Sequence, residues 1–395
     1  MRVFVADVGI ISATGAGVEN NLCRLLDMQH GLNGKSSYLD ADTDYYVGRV
    51  ALSNEELRDM FGIKTKLSRT SLLSLHAVNE CLKNFHPNCR MGFISGTTTG
   101  GMDKSESFCN QYLTDPKNAR ISDVVYHTCG SATASIASYL PKLNYISTIS
   151  TACSSATNAI ILGAQKIKYG QLDAVIAGGS DSLCRFTLDG FRSLLILDND
   201  RCKPLDLNRA GLNLGEGAGY LLLVSEDFAV KHGISPLCEL KSYANVNDAF
   251  HATALSDEGD GPYLAMKQTL AKANLSTEKV DYINLHGTGT VNNDLAESAA
   301  ILKLFGETYP PLSSTKAYTG HTLGASGGIE AVFSVLAIKE QKVFPNLNFT
   351  TPMDSGIIPV LKPKTQKVKY VLSNSFGFGG NCSSLLFADI QIITN

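Results

Sequence analysis

Three glycine-punctuated units occur in the same order in both halves of the chain. In the first unit a buried strand enters a glycine-rich turn, in the second a strand is followed by a turn and a helix, and in the third a glycine-rich stretch precedes a strand. The three pairs are 91–101 and 282–290, 146–167 and 313–339, and 215–224 and 376–388. This period is too long for a solenoid. The pattern therefore predicts two similar α/β halves, 1–235 and 236–395, that share one core.

The second unit of the N-terminal half holds the cysteine with the strongest chemical signal. Residues 146–151 alternate β-branched and small side chains, as a buried strand does, and residues 154–167 carry apolar side chains at helical spacing. Cys153 lies where the strand ends and the helix begins. Free N–H groups and the helix dipole favour an anion there, so we expect the thiol to ionise more readily than in water. Taken alone, the residue could equally be a buried, inert cysteine.

Composition excludes several classes of protein. Of 395 residues, 44% are hydrophobic and 18% charged, and the net charge of −3 gives no basic excess for binding nucleic acid. The longest apolar runs are too short to cross a bilayer, and Asp7 interrupts the first of them, which favours a first strand over a signal peptide. The ten cysteines include no C-x-x-C pair, which argues against zinc and against a disulfide framework. We expect a reducing, cytoplasmic location.

Three segments are assigned on weaker patterns. Residues 31–66 are polar and irregular and are interpreted as surface excursions, and residues 102–127 as a flexible cap. The glycine-rich stretch 215–219 is interpreted as a tight hairpin turn, because it lacks a G-x-G-x-x-G between a strand and a helix.

Two histidines stand at corresponding places of the duplicated halves. His286 ends a buried strand, and His321 lies between Gly320 and Thr322 at the next element boundary. Lys316 precedes His321 by five residues, and Glu330 lies on the helix that follows. A lone histidine is usually structural. Two of them at strand ends, together with a cysteine at a third, favour a shared reactive site.

The glycine-rich stretch 375–380 is interpreted as functional. Its glycines let the backbone approach a substrate, and Phe378 could wall off a pocket.

Four motifs together resemble the elongating β-ketoacyl-acyl-carrier-protein synthases of the thiolase superfamily: TACSS, INLHGTGT, SSTKAYTGHTLGASGG and NSFGFGG. The likeness covers essentially the whole chain. AGGSDSLCRFTLDGF and YINLHGTGTVNNDLAES are more similar to the type II synthases of aryl polyene and polyketide biosynthesis. The resemblance implies a thiolase fold, with two duplicated halves in five α-β-α-β-α layers. It also implies a homodimer, or a heterodimer with a chain-length-factor-like paralogue.

The resemblance also implies a role for each matching residue. Cys153 takes the acyl group, and the N–H groups of Cys153 and Phe378 form the oxyanion hole. His286 and His321 bind the malonyl thioester oxygen during decarboxylation, while Lys316 and Glu330 orient this site. The remaining substrate-binding and phosphopantetheine-binding residues are Thr288, Thr290, Thr99 and Phe376. No metal and no cofactor is implied, because the substrates are carried on the phosphopantetheine of an acyl carrier protein.

The pathway and the exact reaction stay open. The hydroxyls of 97–99 are expected at the far end of the acyl pocket, where unpaired hydroxyls disfavour a saturated chain, and this favours a polyene or polyketide over fatty-acid elongation. The chain could also be a non-catalytic chain-length-factor-type partner, or a thiolase acting on coenzyme A esters. The candidates for docking an acidic carrier protein are basic side chains near the pocket mouth: Lys64, Lys66, Arg69, Arg201, Lys203 and Arg209.

Overall fold

Residues 1–32, 45–85 and 88–390 are described in the computed structural model of this chain. The strands are β1 (Val3–Ser12), β2 (Gly15–Ala16), β3 (Met91–Gly96), β4 (Tyr145–Ile149), β5 (Ala174–Asp181), β6 (Gly217–Ser225), β7 (Cys238–Asn247), β8 (Tyr282–Asn284), β9 (Leu312–Ser313), β10 (Lys342–Val343), β11 (Lys364–Thr365), β12 (Tyr370–Gly377) and β13 (Asn381–Ala388). The α-helices are α1 (Val18–Leu26), α2 (Asn54–Met60), α3 (Arg69–Leu82), α4 (Met102–Thr114), α5 (Cys129–Ala137), α6 (Ser155–Lys168), α7 (Arg185–Ser193), α8 (Glu226–His232), α9 (Asp260–Lys272), α10 (Val291–Phe305), α11 (Lys316–Thr319) and α12 (Ser326–Glu340). Short 3₁₀ turns span Ile121–Tyr126, Thr277–Lys279, Leu323–Ala325 and Phe378–Gly380.

The main sheet consists of two halves with the same strand order. The order runs β4-β3-β5-β6-β1 in the N-terminal half and continues β7-β13-β12-β8-β9 in the other. When the five strands of each half are numbered along the chain, both read 3-2-4-5-1, the second in reverse direction. The halves are joined where β1 pairs with β7, at Phe4 with Glu239 and Val5 with Cys238. The internal duplication predicted from the sequence is confirmed.

Two helices lie between the halves of the sheet. α6 packs on β3, β5 and β6, and α12 packs on β6 and on β12 of the other half. Every residue of α12 from Ser326 to Ile338 is buried, as expected for a helix covered on all sides. α3 covers the outer face of one half, and α9 and α10 lie on the outer side of the other. These are the five layers implied by the resemblance.

The central strands are buried on both faces. All residues of β5 and of β6 are inaccessible to solvent, which explains their nearly continuous runs of apolar and small residues. This rigid centre carries the loops that hold the reactive groups at the ends of β4, β5 and β8.

The assignment of 31–66 as irregular surface was wrong, whereas that of 102–127 as a flexible cap stays a prediction. Within 31–66 the structure has α2, which begins at a capping box between Ser53 and Glu56, and Val50 and Leu57 belong to the core. The part of that segment at 33–44 lies outside the described residues. Within 102–127 the structure has α4 and a 3₁₀ turn. α4 buries none of its residues completely.

The stretch 215–219 is not a hairpin turn, as the sequence had suggested. Gly217 and Gly219 belong to β6, and a Cβ on Gly219 would lie 2.4 Å from the backbone nitrogen of Ile329 in α12. The glycine therefore allows the helix to touch the strand. The neighbouring Glu216 is buried in an ion pair with Arg69.

Among the described residues, no helix is both long and apolar enough to span a membrane. The division at residue 235 falls between α8 and β7, and it stays a prediction.

Candidate active site

Cys153 lies at the strand–helix junction that the sequence predicts. β4 ends at Ile149 and α6 begins at Ser155. The expected burial of this strand is wrong, because β4 lies at the edge of the sheet and none of its residues is fully buried. Between them Ala152 adopts a left-handed conformation with φ of 51°, which side chains other than glycine seldom adopt. This sharp turn brings the Cys153 sulfur to the edge of a cavity, although only 6% of the residue is exposed.

The structure brings Cys153, His286 and His321 together. The Cys153 sulfur and one nitrogen of each imidazole all lie within 4.8 Å of one another, and all three residues are buried. The two rings are nearly perpendicular, at 86°, with centroids 5.5 Å apart. Residues 133 and 168 positions apart along the chain therefore form one compact group.

The hydrogen bonds fix the tautomer of His321. The backbone N–H of Leu323 donates to its Nδ1 over 3.0 Å, and the Ser326 hydroxyl lies 3.1 Å from the same atom. An Nδ1 that accepts an N–H bond carries no proton. The neutral ring therefore has its proton on Nε2, which leaves an N–H donor for the cavity.

Lys316 sets the tautomer of His286 in the same way. Its Nζ donates to the main-chain carbonyl of His286 over 2.5 Å and lies 3.3 Å from Nδ1 of the same residue. It also donates to Glu330. All three donors of the ammonium group are thereby used, and the proton of the neutral His286 ring is on Nε2. The contact between Lys316 and Glu330 expected from the sequence is present.

Glu297, which sequence reasoning missed, holds the backbone at His286. One carboxylate oxygen accepts the N–H of His286 over 3.0 Å, and the other accepts the N–H of Gly287 over 2.8 Å. The residue is fully buried on α10. An acidic side chain inside an otherwise small and apolar helical face, LAESAA, is the signal that could have found it.

The glycine-rich stretch packs directly on Cys153. The backbone N–H of Phe378 lies close enough to the Cys153 sulfur to lower the pKa of its thiol. At Gly377 an added Cβ would lie 2.9 Å from the carbonyl oxygen of Thr151 and 3.2 Å from the nitrogen of Cys153. Glycine is needed here because the strand end lies against the turn that holds the nucleophile.

Burial dominates the titration of this group. It raises the pKa of the Cys153 thiol to about 11, although Lys316 and the Phe378 N–H act in the opposite direction. The expected lowering of this pKa by the helix N-terminus is therefore wrong, because desolvation raises the pKa instead. Burial, and then the charge of Lys316, holds the pKa values of His286 and His321 well below their usual range. Both rings are neutral at pH 7.

Two cavities meet at the Cys153 sulfur. The first, of about 280 Å³, is lined by both histidines, Thr288, Thr290 and Phe376. The second, of about 220 Å³, is lined by Thr99, Met102, Phe186 and Leu323. Of the residues that the structure describes, only Cys153, Phe191 and Phe378 border both cavities. The two phenylalanine rings stack on each other, with their centroids 5.8 Å apart. We call these the histidine cavity and the acyl cavity.

The expectation about the threonine hydroxyls was wrong. Thr98 and Thr99 line the acyl cavity, but the hydroxyls of Thr97, Thr98 and Thr99 all donate to Asp181. They are not left unpaired against the acyl group, so they give no reason to disfavour a saturated chain. Asp181, which closes β5, is a second buried acid that sequence reasoning missed.

Two candidate docking residues are not available at the surface. Arg69 is buried, and its guanidinium donates to both oxygens of Glu216, over 2.8 and 2.6 Å. Arg209 is buried beside Asp294 and donates to the carbonyl of Asp206. Lys64 and Lys66 are exposed, whereas Arg201 and Lys203 are partly buried.

Comparison with known proteins identifies the family. The model of the β-ketoacyl synthase N-terminal domain matches residues 57–229, and that of the C-terminal domain matches residues 237–350. The 3-oxoacyl-[acyl-carrier-protein] synthase 2 of Staphylococcus aureus is 32% identical, and the match covers 99% of each chain.

Two solved structures have the same fold. The ketosynthase ApeO from Xenorhabdus doucetiae, in complex with its chain length factor ApeC, is 31% identical, with a TM-score of 0.84 over 98% of each chain. The second structure is a type II PKS acyl-carrier protein in complex with its ketosynthase, AntDE:AntF. It has a TM-score of 0.89 and 26% identity, and the match covers 98% of this chain and 99% of the other. This chain belongs to the β-ketoacyl synthase family and has the Cys-His-His group of its acyltransferases.

Proposed function

We propose that this protein joins an acyl group on Cys153 to a malonyl group by decarboxylative Claisen condensation, with both substrates delivered by an acyl carrier protein. The observation that carries the proposal is the position of the Cys153 sulfur between two cavities, with both histidines on one side only. A two-step transfer needs such an arrangement, because the acyl chain must stay in place while the second thioester enters.

In the first step the Cys153 sulfur attacks the thioester carbonyl of the acyl carrier. The acyl–sulfur bond to the carrier breaks, and the proton of the Cys153 thiol ends on the departing carrier thiol. The N–H groups of Cys153 and Phe378 stabilise the tetrahedral oxyanion. The effect of the Phe378 N–H on the pKa of the Cys153 thiol supports this role, because it places a donor beside the reacting sulfur.

In the second step the malonyl carrier occupies the histidine cavity. The Nε2–H groups of His286 and His321 donate to its thioester oxygen, and this stabilises the enolate that forms as carbon dioxide leaves. The enolate carbon attacks the acyl carbonyl, the bond to Cys153 breaks, and the thiolate takes up one proton. Thr288 and Thr290, at the same cavity, bind the phosphopantetheine arm.

The proposed chemistry uses no metal and no cofactor. The hydrogen bonds support this, because a histidine that binds zinc through Nε2 normally donates from Nδ1. Here Nδ1 of His321 accepts an N–H bond, and Nδ1 of His286 faces the Lys316 ammonium.

We infer that this protein is cytoplasmic, that its partner is an acyl carrier protein, and that it assembles as a dimer. The solved complexes of similar ketosynthases with a carrier protein and with a chain length factor support both partners. The second subunit is either another copy of this chain or a chain-length-factor-like paralogue.

For the pathway we propose type II polyketide synthesis of the aryl polyene kind. The likeness to the ketosynthases of solved type II assemblies supports it. Fatty-acid elongation is the second candidate, favoured by the likeness to 3-oxoacyl-[acyl-carrier-protein] synthase 2. A competition between polyenoyl and saturated acyl carriers distinguishes the two, and preference for the saturated chain would contradict the polyene assignment.

The condensation itself is tested by intact-protein mass spectrometry. Wild type incubated with acyl carrier should gain the mass of one acyl group, and Cys153→Ala should gain none while it still decarboxylates malonyl carrier. Acylation of the variant would refute the assignment of the nucleophile. Equal reaction with coenzyme A esters would favour a thiolase instead.

A further inference from the structure

We propose that Asp181 is a positioning residue that couples the wall of the acyl cavity to the turn that holds His321. This inference rests on the condensation proposed above. Asp181 does not itself react. Its role is to hold the wall of the acyl cavity in a fixed position relative to the histidine cavity.

Asp181 is fully buried at the end of β5, and hydrogen-bond donors surround its carboxylate. The backbone N–H groups of Thr98 and Thr99 donate to it over 3.0 and 2.9 Å, and the hydroxyls of Thr97, Thr98 and Thr99 donate as well. Most of the hydrogen bonds that this carboxylate accepts therefore come from one loop, residues 97–99. Thr98 and Thr99 of that loop form part of the wall of the acyl cavity.

The same carboxylate reaches the histidine side of the site. Its Oδ2 accepts the N–H of Gly324 over 2.7 Å. The preceding Leu323 has a left-handed φ of 54° and donates its own N–H to Nδ1 of His321. A strained residue persists only where its surroundings hold it. The bond from Gly324 to Asp181 fixes one end of this strained turn, and the bond to His321 fixes the other.

Leu323 also lines the acyl cavity, so the coupling acts on one continuous surface. If the carboxylate is lost, the 97–99 loop and the 323–324 turn lose their common acceptor. The wall that touches a long acyl chain then shifts, and so does the direction of the His321 ring. An acetyl group makes fewer contacts with that wall than a long chain does, and therefore its transfer to Cys153 is affected less.

Asp181→Asn tests the proposal, because it keeps the shape but replaces one acceptor oxygen by a donor. The measurements are acylation of Cys153 by acetyl and decanoyl carriers, and decarboxylation of malonyl carrier. We expect the ratio of decanoyl to acetyl acylation to fall about tenfold, and decarboxylation to fall about tenfold, as the loss of a buried charged hydrogen bond implies.

Asp281→Asn is the matched control. That carboxylate also accepts two backbone N–H groups, those of Lys369 and Tyr370, but it lies at the opposite end of β8 from His286. Its loss should leave the acylation ratio unchanged. Should Asp181→Asn fail to fold, Thr99→Val removes a single donor to the carboxylate and should shift the ratio in the same direction by a smaller factor.

An acylation ratio within twofold of wild type in folded Asp181→Asn would overturn the proposal, as would an equal shift in the control. Absence of any acyl group on wild-type Cys153 would instead refute the proposed function. The two failures are therefore distinguishable.

Discussion

The side chains at the centre of the site are a protonated thiol and two neutral imidazoles. Burial is the main reason why all three groups are uncharged. It raises the pKa of Cys153 to about 11 and lowers the pKa values of His286 and His321. A neutral imidazole with its proton on Nε2 is a hydrogen-bond donor that does not form a stable ion pair with the malonyl carboxylate. The thiol and the two imidazoles of the free enzyme are thus all uncharged.

The reactivity of Cys153 should rise steadily with pH. Because alkylating agents react with the thiolate, and the pKa is about 11, the rate of iodoacetamide labelling should rise about tenfold per pH unit between pH 7 and 9. Labelling is followed by mass spectrometry of the peptide that contains Cys153, with Cys153→Ala to confirm the peptide. A labelling rate that stops rising below pH 8 would instead indicate a lowered pKa, as expected for a thiol activated by the helix N-terminus.

Each histidine should matter more for decarboxylation than for acylation. His286→Ala and His321→Ala each remove one donor to the enolate oxygen, and we expect malonyl decarboxylation to fall about 100- to 1,000-fold. Acylation of Cys153 is measured in parallel and should fall much less. The exposed His232 on α8 serves as the control, since His232→Ala should change neither step. Condensation near the wild-type rate in either active-site variant would make that histidine structural.

At the scale of elements, the contact between α12 and β6 holds the two halves of the site together. α12 begins five residues after His321 and carries Glu330, while its N-terminal turns lie on the glycines of β6. A Cβ at Gly219 would come within 2.4 Å of the nitrogen of Ile329 and 2.5 Å of the carbonyl carbon of Gly328. Both neighbours are backbone atoms, which cannot move without shifting the helix.

Gly219→Ala should therefore destabilise the protein. We expect the free energy of unfolding to fall by about 1–3 kcal/mol, as for other overpacked core positions. Urea unfolding measures it. Gly130→Ala on α5 is the control, because a Cβ there meets no atom within 4 Å, and its free energy of unfolding should stay within about 1 kcal/mol of wild type. Equal stability of the Gly219 variant and wild type would contradict the close contact.

At the scale of the molecule, β4 ends the strand order and immediately precedes the turn of Cys153. A terminal strand offers its outer edge to another chain. Its Ile146 is 50% exposed, which is unusual for an isoleucine in a strand that adjoins an active site. Pairing of this edge with a second subunit would bury Ile146 and bring that subunit close to the acyl cavity.

Ile146→Asp should weaken or abolish the dimer. A charge on the paired edge would be buried without a partner, which costs several kcal/mol. Size-exclusion chromatography with light scattering should show a dimer of the 42.3 kDa chain for wild type and a monomer for the variant. Ile358→Asp is the matched control, since Ile358 is 56% exposed in the loop between β10 and β11 and should leave the dimer intact. A dimeric Ile146→Asp would place the interface elsewhere.

Local patterns in the sequence were sufficient to predict much of the fold. The change of period from two to 3.6 around Cys153 depends only on neighbouring residues, and the structure has a strand and a helix there. The repeated order of glycine-punctuated units likewise predicted the duplicated halves. Because strand ends of equivalent units meet at one place, the order of units was enough to assign His286 and His321 to the same site as Cys153.

Only the tertiary structure decided the partners and the charge states of those residues. The Thr97 hydroxyl donates to Asp181, 84 residues away, and Arg69 pairs with Glu216, 147 residues away, so neither contact has a local signature. The pKa of Cys153 depends on how completely the surrounding elements exclude water. Desolvation is a property of the packed molecule, and in this site it raises the pKa that the sequence argument expected to be lowered.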